Sequence, residues 1–402
     1  MDYKEMLEYI HSLGNFSMPA TLSRISAVME NLGNPQNEYK SIHISGTNGK
    51  GSVSAMLASV FSEAGFKTGL FISPFIIDFR ERIQINGEYI SEKDLCFYAE
   101  RIKELNIPLT EFEFITAVAF LYFKEKNIDI LICETGLGGR LDATNVLNKK
   151  IATVITKIGL DHTAILGDTI EKIAAEKCGI LRNCPTVTTA FQDEKALNVI
   201  KKSADKLYLP DLKSFETVGE NTYIYKGKMY ELSLKGDYQI ENSLMVLETL
   251  NCIDCDIPYD TVYKALKNTF FPARMEKLSE NPLIILDGAH NPDGAEVLVK
   301  ELKKYKNITA IVGMCRDKDC EEFLKKTLAC CENAVTVEIK SQPRSLSIEE
   351  IYGLASKYTK SYKAFDYETA LKIAKEISNG NPIFIFGSLY LATGMREILI
   401  EK

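Results

Sequence analysis

The stretch from Tyr39 to Ala64, YKSIHISGTNGKGSVSAMLASVFSEA, constrains this chain more than any other. The apolar run Ile42 to Ile44 predicts a strand, and it meets a glycine turn, Gly46-Thr47-Asn48-Gly49-Lys50-Gly51-Ser52. Beyond the turn, Val53, Met56, Leu57, Val60, Phe61 and Ala64 recur at three- and four-residue spacing, which predicts a helix with one apolar face. Gly65 is placed to end it. Strand, glycine turn and helix in that order make the architecture that holds a nucleoside triphosphate. Glycines let backbone N–H groups turn inward around phosphate oxygens. The helix N-terminus adds a partial positive charge, and Lys50 adds a full one. The common phosphate loop reads G-x-x-x-x-G-K-[ST]. Here Gly46 lies too close to Gly49, and Gly51 stands where a hydroxyl should follow the lysine. The bland alternative is a glycine-rich turn that holds nothing.

At 402 residues the chain is long enough for two or three domains with cores of their own. A formal net charge of -7 argues against a nucleic-acid or anionic-membrane surface, so positive charge for a triphosphate must be concentrated locally. No apolar run reaches membrane-spanning length, and the opening residues, MDYKEMLEYIHSLG, lack the apolar core of a signal peptide. The ten cysteines are scattered. Cys252 and Cys255 form a lone CxxC without a second pair or histidine partner, and Cys330 and Cys331 are adjacent. They read as reduced thiols of a cytoplasmic protein.

Along the chain, helices are expected around residues 6–10 and 22–32, separated by a loop at Ser17-Met18-Pro19-Ala20. Strands are expected over 68–72, 128–133, 152–155 and 185–189. Ser91 caps a helix to 105, and Thr110 opens another whose apolar positions run nearly all round. FIIDFRERIQING reads as an extended segment turning at Asn86-Gly87, and Asp168 as the cap of the helix TIEKIAAEKCGIL. The alternation in TYIYKGKMYELSLKG predicts antiparallel hairpins turning at Lys226-Gly227-Lys228, followed by the helix YQIENSLMVLETL. Pro272-Ala273-Arg274-Met275 is the candidate boundary between domains 1–271 and 272–402. Past it the rhythm restarts, with LIILD, TAIVG, AVTVEI and PIFIFG each leading into a helix. The fold class is therefore α/β. A phosphate-loop ATP-binding domain with a mostly parallel sheet precedes a smaller, doubly wound, Rossmann-like domain.

Ligands of open parallel sheets gather at the carboxyl ends of the strands. Residues 46–52, Ser73, Glu134 and His162 stand there in the first domain, and residues 287–291 in the second. Glu134 ends an apolar strand near the phosphate loop, where an acid holds Mg²⁺ directly or through water; the alternative is a solvated strand-end carboxylate. His162 is a lone histidine, as readily structural as a ligand, and Ser73 could simply cap the segment after its strand. Lys177 shares a helix with Ile170, Ile173 and Ala174, which face the core; by default it is a snorkelling surface residue. Aimed at phosphates, it would act as a charge or in a modified form. Arg274 at the domain junction could reach ATP phosphates with its fixed fork of donors. Asp287-Gly288-Ala289-His290-Asn291-Pro292 is either a ligand-binding loop or a polar turn with an N-cap at Asn291.

The segments HISGTNGKGSV, SPFIIDFRERI, TEFEFITAVAF, ETGLGGRLDATN, KIGLDHTAILGDTIEKIAAEKCGIL, GDYQIENSLMVLE, PARMEKL, ILDGAHNPDGA and FGSLYLATG occur in this order. Together they resemble the folylpolyglutamate synthase and dihydrofolate synthase family of the Mur ligase superfamily. The resemblance implies that Gly46, Thr47, Asn48, Gly49, Lys50, Gly51 and Ser52 bind ATP phosphates. It implies that Ser73, Glu134 and His162 ligate magnesium, with Glu134 serving two ions. Lys177 falls on the lysine that the family carries as a carbamate. Asn242, Arg274 and Asp287 match ATP contacts, with His290 beside them. A pterin-bearing substrate is implied near Leu22, Thr110, Phe112, Glu113, Asp142 and Ala143. The implied cofactors are two Mg²⁺ ions and K⁺ or another monovalent cation. The implied substrates are ATP, L-glutamate and a reduced folate or dihydropteroate, handled by a monomer with no nucleic-acid or membrane partner.

The reaction so implied is ADP-forming amide ligation. A substrate carboxylate attacks the γ-phosphate of ATP to give an acyl phosphate, and the glutamate amine then expels phosphate. Two anions meet in the first step, so charge neutralisation is the main need, and positioning by closure of the second domain is the next. Lys50, Lys177, Asp287 and His290 are the catalytic candidates, with His290 the candidate base for the amine. Two departures bear on the acceptor: Phe75 stands where many of the family carry histidine, and SMPATLSRI keeps the usual leucine and arginine but not the glycine. Three rivals stand beside this reading. A Mur-type ligase for cell-wall precursors would need a uridine-nucleotide domain before the first strand, and too few residues precede it. A plain kinase or ATPase leaves GAHNPDG and the second α/β domain unexplained. A non-catalytic, ATP-dependent switch sits poorly with intact Lys50, Glu134 and His162.

Overall fold

The computed structural model describes residues 1–14 and 18–400, so Ser17 of the early loop lies outside the described residues. Contacts divide the chain into two compact units.

The first unit comprises residues 1–159, 163–233 and 239–270. Its sheet is built from β1 (Lys40–Ser45), β2 (Thr68–Phe71), β3 (Ile83–Ile85), β4 (Glu88–Tyr89), β5 (Ile130–Glu134), β6 (Lys150–Ile155), β7 (Thr186–Thr188) and β8 (Leu207–Tyr208). The spatial order is β4-β3-β2-β5-β1-β6-β7-β8, parallel from β2 through β8, with β3 and β4 as an antiparallel edge. Every residue of β5 is buried, as are all but Lys40 of β1, which is how strands read when helices cover both faces. Register then places the chemistry. Ile44 pairs with Glu134 and Phe71 with Cys133, so the chain leaving β2 and the end of β5 both arrive beside the glycine turn.

The helix Lys50–Glu63 is buried on more than the one predicted face. A further helix of this unit, Tyr259–Asn268, packs on it, with Ser59 Oγ donating to the Ala265 carbonyl at 3.1 Å. The helix Glu111–Glu125 is apolar all round and lies in the core, where Phe114, Phe120 and Phe123 are almost fully buried. Each such side chain contributes roughly 1.5–3 kcal/mol of burial. Two local readings change. FIIDFRERIQING is not extended throughout: Asp78 and Glu81 close a capping box that curls Phe79–Arg82 into a 3-10 turn before β3. The helix Ile170–Cys178 is capped by Thr169, not Asp168, whose exposed carboxylate instead meets Lys172 at 2.8 Å. The predicted hairpins form a three-stranded sheet of β9 (Phe215–Gly219), β10 (Thr222–Tyr225) and β11 (Lys228–Glu231). Lys226 and Gly227 turn at φ 48° and 73°, as a two-residue hairpin of the primed type requires.

The second unit comprises residues 160–162, 234–238 and 271–402. Its continuous part starts at Phe271, and two short segments from earlier in the chain belong to it as well. Strands β12 (Glu276–Glu280), β13 (Leu283–Leu286), β14 (Thr309–Val312), β15 (Asn333–Val337), β16 (Lys360–Ala364) and β17 (Ile383–Phe386) lie in the order β12-β13-β17-β14-β15-β16. All pair in parallel except β12 with β13, giving the doubly wound α/β sheet expected. All ten cysteines are free, and no helix among the described residues is long and apolar enough to cross a membrane.

Candidate active site

In the first unit the glycine turn is fixed to the segment that follows β6. The amides of Thr47 and Asn48 both donate to the Lys157 carbonyl, at 3.0 and 3.1 Å, and the Thr47 hydroxyl exchanges hydrogen bonds with both backbone groups of Gly159 at 3.1 Å. A Cβ on Gly46 would fall 1.9 Å from Thr156 Oγ1, so β1 leaves the sheet at the only kind of residue that fits. Gly49 has φ 92°, and a Cβ there would lie 2.4 Å from Asn242 Oδ1. Asn242, on the helix Asp237–Cys252, is thus packed directly on the loop. Lys50 opens the next helix with its amine 3.2 Å from the Thr47 carbonyl and 3.8 Å from Glu134 Oε1. Gly51 and Ser52 are buried in that first turn, and the Ser52 hydroxyl has no hydrogen-bond partner among the described residues.

Glu134 is 4% exposed, and its Oε2 accepts the Ser73 amide at 3.3 Å. Lys177 is not the surface residue that its helix position predicts: it is 5% exposed and donates from Nζ to the Gly46 carbonyl at 2.6 Å. Lys50, Glu134, Ser73, Lys177 and Asn242 therefore converge on one turn. Among the described residues no group of three or more His, Cys, Asp or Glu side chains is gathered for a metal. The donors present are instead a carboxylate and hydroxyls, including the orphaned Ser52 oxygen. That set fits a hard cation such as Mg²⁺, which keeps waters and takes further oxygens from a nucleotide's phosphates.

The residues expected near a pterin lie elsewhere in the same unit. Thr110 and Glu113 form a capping box, and Glu113 also receives the Arg24 guanidinium, with both oxygens 3.1 Å from Nε. Leu22 and Phe112 pack on the core cluster that contains Phe114 and Phe120, and the Phe112 ring is tilted by 42° against that of Phe71, at 6.0 Å between centroids. Asp142 is 5% exposed, and burial pushes its carboxyl up. Its oxygens accept the amides of Leu137 and Thr144 at 2.8 and 3.0 Å, folding GLGGRLDATN back on itself, with Ala143 buried in the turn that follows.

The second unit carries the other candidates. Asp287 is buried, which pushes its carboxyl up against the opposing charge of Arg274. It accepts the Met275 amide at 3.0 Å and the Ala289 amide at 2.8 Å. It thereby braces a turn in which Ala273 and Met275, flanking Arg274, take φ 52° and 49°. Left-handed conformations outside glycine cost on the order of 1 kcal/mol each and persist where the surroundings impose them. The Arg274 guanidinium sits 5.7 Å over the Phe271 ring. His290 Nδ1 donates to the Gly288 carbonyl at 2.8 Å, which leaves Nε2 as an acceptor. Burial first, and Lys318 second, bring its pKa down to about 4, so the ring is neutral at physiological pH. Asn291 does cap the helix Pro292–Leu302, receiving the Gly294 amide at 2.8 Å. His162 belongs to this unit, at φ 50°, with its amide on Asp161 at 2.9 Å. Burial would raise the Asp161 carboxyl, but Lys318, at 2.7 Å, and the two histidines hold it well below the usual carboxylate range. Sequence reasoning gave no role to Arg24, Asp161, Thr156 or Lys318. Single charged or hydroxyl residues carry no periodic signal, and their partners are remote in sequence.

A unit with a phosphate turn, followed by a doubly wound α/β unit, is the domain pair of a Mur-type ligase. The chain matches the Mur ligase middle domain over residues 44–250 and the Mur ligase glutamate ligase domain over 273–389. It is 34% identical to the folylpolyglutamate synthase of Lacticaseibacillus casei, over 100% of this chain and 99% of that one. It is also 34% identical to the dihydrofolate synthase/folylpolyglutamate synthase of Bacillus subtilis, over 99% of each. Among solved structures, Mycobacterium tuberculosis folylpolyglutamate synthase complexed with ADP and AMPPCP matches with a TM-score of 0.89 at 28% identity, covering 99% of both chains. Escherichia coli FolC in complex with DHPP and ADP matches with a TM-score of 0.91 at 25% identity, over 100% of this chain and 98% of that one. The chain belongs to the folylpolyglutamate synthase/dihydrofolate synthase family of Mur ligases.

Proposed function

We propose that this protein is an ATP- and Mg²⁺-dependent ligase that joins L-glutamate to the carboxylate of a folate. It forms an acyl phosphate and releases ADP and phosphate. The acceptor is a tetrahydrofolate, dihydropteroate or both. The observation that carries the reading is the convergence of Lys50, Glu134 and Lys177 on a turn that only glycine fits.

The first chemical step brings a carboxylate against a triphosphate. Lys50 and the N-terminus of its helix supply preorganised positive charge there, and Arg274, in the turn that Asp287 braces, carries a fork of donors suited to phosphate oxygens. Asn242 fixes the loop from a second helix. Glu134, Ser73 and His162 would hold magnesium, two ions with Glu134 serving both, which when bound neutralises phosphate charge. Carbon dioxide added to the Lys177 amine would replace the cation beside Gly46 with an oxygen pair suited to the same metal. A monovalent cation such as K⁺ is a further expected ligand. In the second step the amine must attack unprotonated. His290 presents Nε2 as a neutral acceptor that orients the amine; with a pKa of about 4 it does not store the proton. Residues 1–271 are the ATP- and folate-binding domain and 272–402 the Rossmann-like ligase domain, in a cytoplasmic monomer.

The test is direct. Purified protein receives ATP, Mg²⁺, L-glutamate and either dihydropteroate or tetrahydrofolate, with products read by mass spectrometry. A product heavier by one glutamyl residue, formed with stoichiometric ADP, is expected. ATP hydrolysis without any amide product would replace the ligase by a nucleotide switch.

A further inference from the structure

The segment FRERI forms the 3-10 turn and enters β3, and it carries three charged residues, of which Arg80 pairs with Asp78 while Glu81 and Arg82 are buried. Glu81 is 2% exposed and gathers three successive amides, those of Ile76 and Ile77 at 2.8 Å and Asp78 at 3.0 Å. It thus shapes the loop that follows Ser73-Pro74. Arg82 is 6% exposed. Its guanidinium lies between two aromatic rings, 5.2 Å from the centroid of Phe75 and 5.3 Å from that of Phe79. One arm donates to Ser73 Oγ at 3.2 Å, and the other faces Glu111 Oε1 at 3.8 Å. The Ser73 amide is meanwhile held by Glu134. Backbone and hydroxyl of Ser73 are therefore fixed independently, by an acid on β5 and a cation on the turn before β3. Because Arg82 donates to Ser73 Oγ, the serine proton is directed away from it, and a remaining lone pair is left to other partners.

We propose that Arg82 is a positioning residue that orients the Ser73 hydroxyl for the metal-bound nucleotide, with Phe75 and Phe79 as its walls and Glu111 as its counter-charge. A fork with a fixed plane is needed, because one group must reach two oxygens while stacked between rings; a lysine offers only a point charge. Phe75 takes part directly, so its difference from the histidine common in the family changes the wall of this clamp and not the phosphate turn.

This inference rests on the reading of Ser73 as a metal-side residue, and the experiment separates the two. The full chain with ADP is titrated with Mn²⁺ by electron paramagnetic resonance, as wild type, Ser73→Ala, Arg82→Met, Arg82→Lys and the double variant Ser73→Ala/Arg82→Met. Residues that orient a metal's ligands typically change affinity by about 10–100-fold. Ser73→Ala and Arg82→Met should each weaken Mn²⁺ by about tenfold. The double variant should be no weaker than Ser73→Ala alone, and Arg82→Lys should stay near Arg82→Met. ADP affinity measured in EDTA should not move. If Ser73→Ala weakens Mn²⁺ but Arg82→Met does not, or if the two losses multiply, the clamp is wrong and the Ser73 reading stands. If Ser73→Ala has no effect, both fall. A matching loss of metal-free ADP binding in Arg82→Met would show a general structural role and overturn the proposal. Should the Arg82 variants not fold, Glu111→Gln decides. Removing the counter-charge should weaken Mn²⁺ as well, by no more than the roughly tenfold of Arg82→Met, and an unchanged titration would overturn the clamp.

Discussion

Lys50 has its amine 3.8 Å from Glu134 and 3.2 Å from the Thr47 carbonyl, so it is held by the loop it serves and not by the core. Its removal should therefore spare the fold and strike the chemistry. Lys50→Ala is expected to cut ligase kcat/KM by at least 10²–10³-fold, the scale for losing one preorganised charge contact. Its circular dichroism spectrum should match wild type, and near-normal turnover would refute the phosphate role. His290 gives a prediction of a different kind. Its pKa of about 4 lies below the value near 6.5 of an unfolded histidine. The unfolded chain thus binds the extra proton first, and stability is lost as pH falls from about 6.5 to 4. The full linkage is about 3 kcal/mol, reduced by solvent screening of the half-buried ring. His290→Gln lacks this component, so urea midpoints measured across that window should fall less steeply in the variant than in wild type.

At the scale of elements, the helix Glu111–Glu125 depends on its first turn. The Thr110 hydroxyl receives the Glu113 amide, and Glu113 returns to the Thr110 amide at 2.8 Å. Thr110→Ala should cost about 1 kcal/mol, up to 2, in denaturant unfolding, and Thr110→Ser should restore most of it. This cap was readable because all its parts lie within four residues. The phosphate turn was readable for the same reason, and the parallel strands β1, β5 and β13 because burial on both faces leaves continuous apolar runs. What escaped depends on partners far along the chain. Helical position says which face Lys177 occupies but not that this face meets Gly46. The contact of Asn242 with Gly49 and the fork of Arg82 onto Ser73 and Glu111 exist only once strands are paired. Edge strands β12 and β16 carry lysines and glutamate in place of an apolar run, and the helix Glu194–Ser203 buries only Ala196 and Ile200, so their patterns are thin. Residues 160–162 and 234–238 join the second unit through tertiary contacts, which a single cut in the sequence cannot express.

At the scale of the molecule, a chain with net charge -7 is expected to bind a polyanion, which works only where local charge outweighs the mean. The glycine turn meets that condition through backbone N–H groups and a helix terminus, which carry no formal charge, and through Lys50, a single cation placed where the phosphates would lie. Ligand linkage makes this measurable without any turnover. A nucleotide that binds the folded chain alone stabilises it by about 2.7 kcal/mol at one hundred times its Kd. For domains of 150–250 residues each kcal/mol shifts Tm by about 2–4 °C, so saturating Mg²⁺ and AMPPCP should raise the calorimetric midpoint by roughly 5–10 °C. The shift should grow with the logarithm of nucleotide concentration, as mass action requires, and it should shrink sharply in Lys50→Ala while the ligand-free midpoint stays put. A shift of equal size in Lys50→Ala would mean that the nucleotide is held somewhere other than the turn around which the first unit is built.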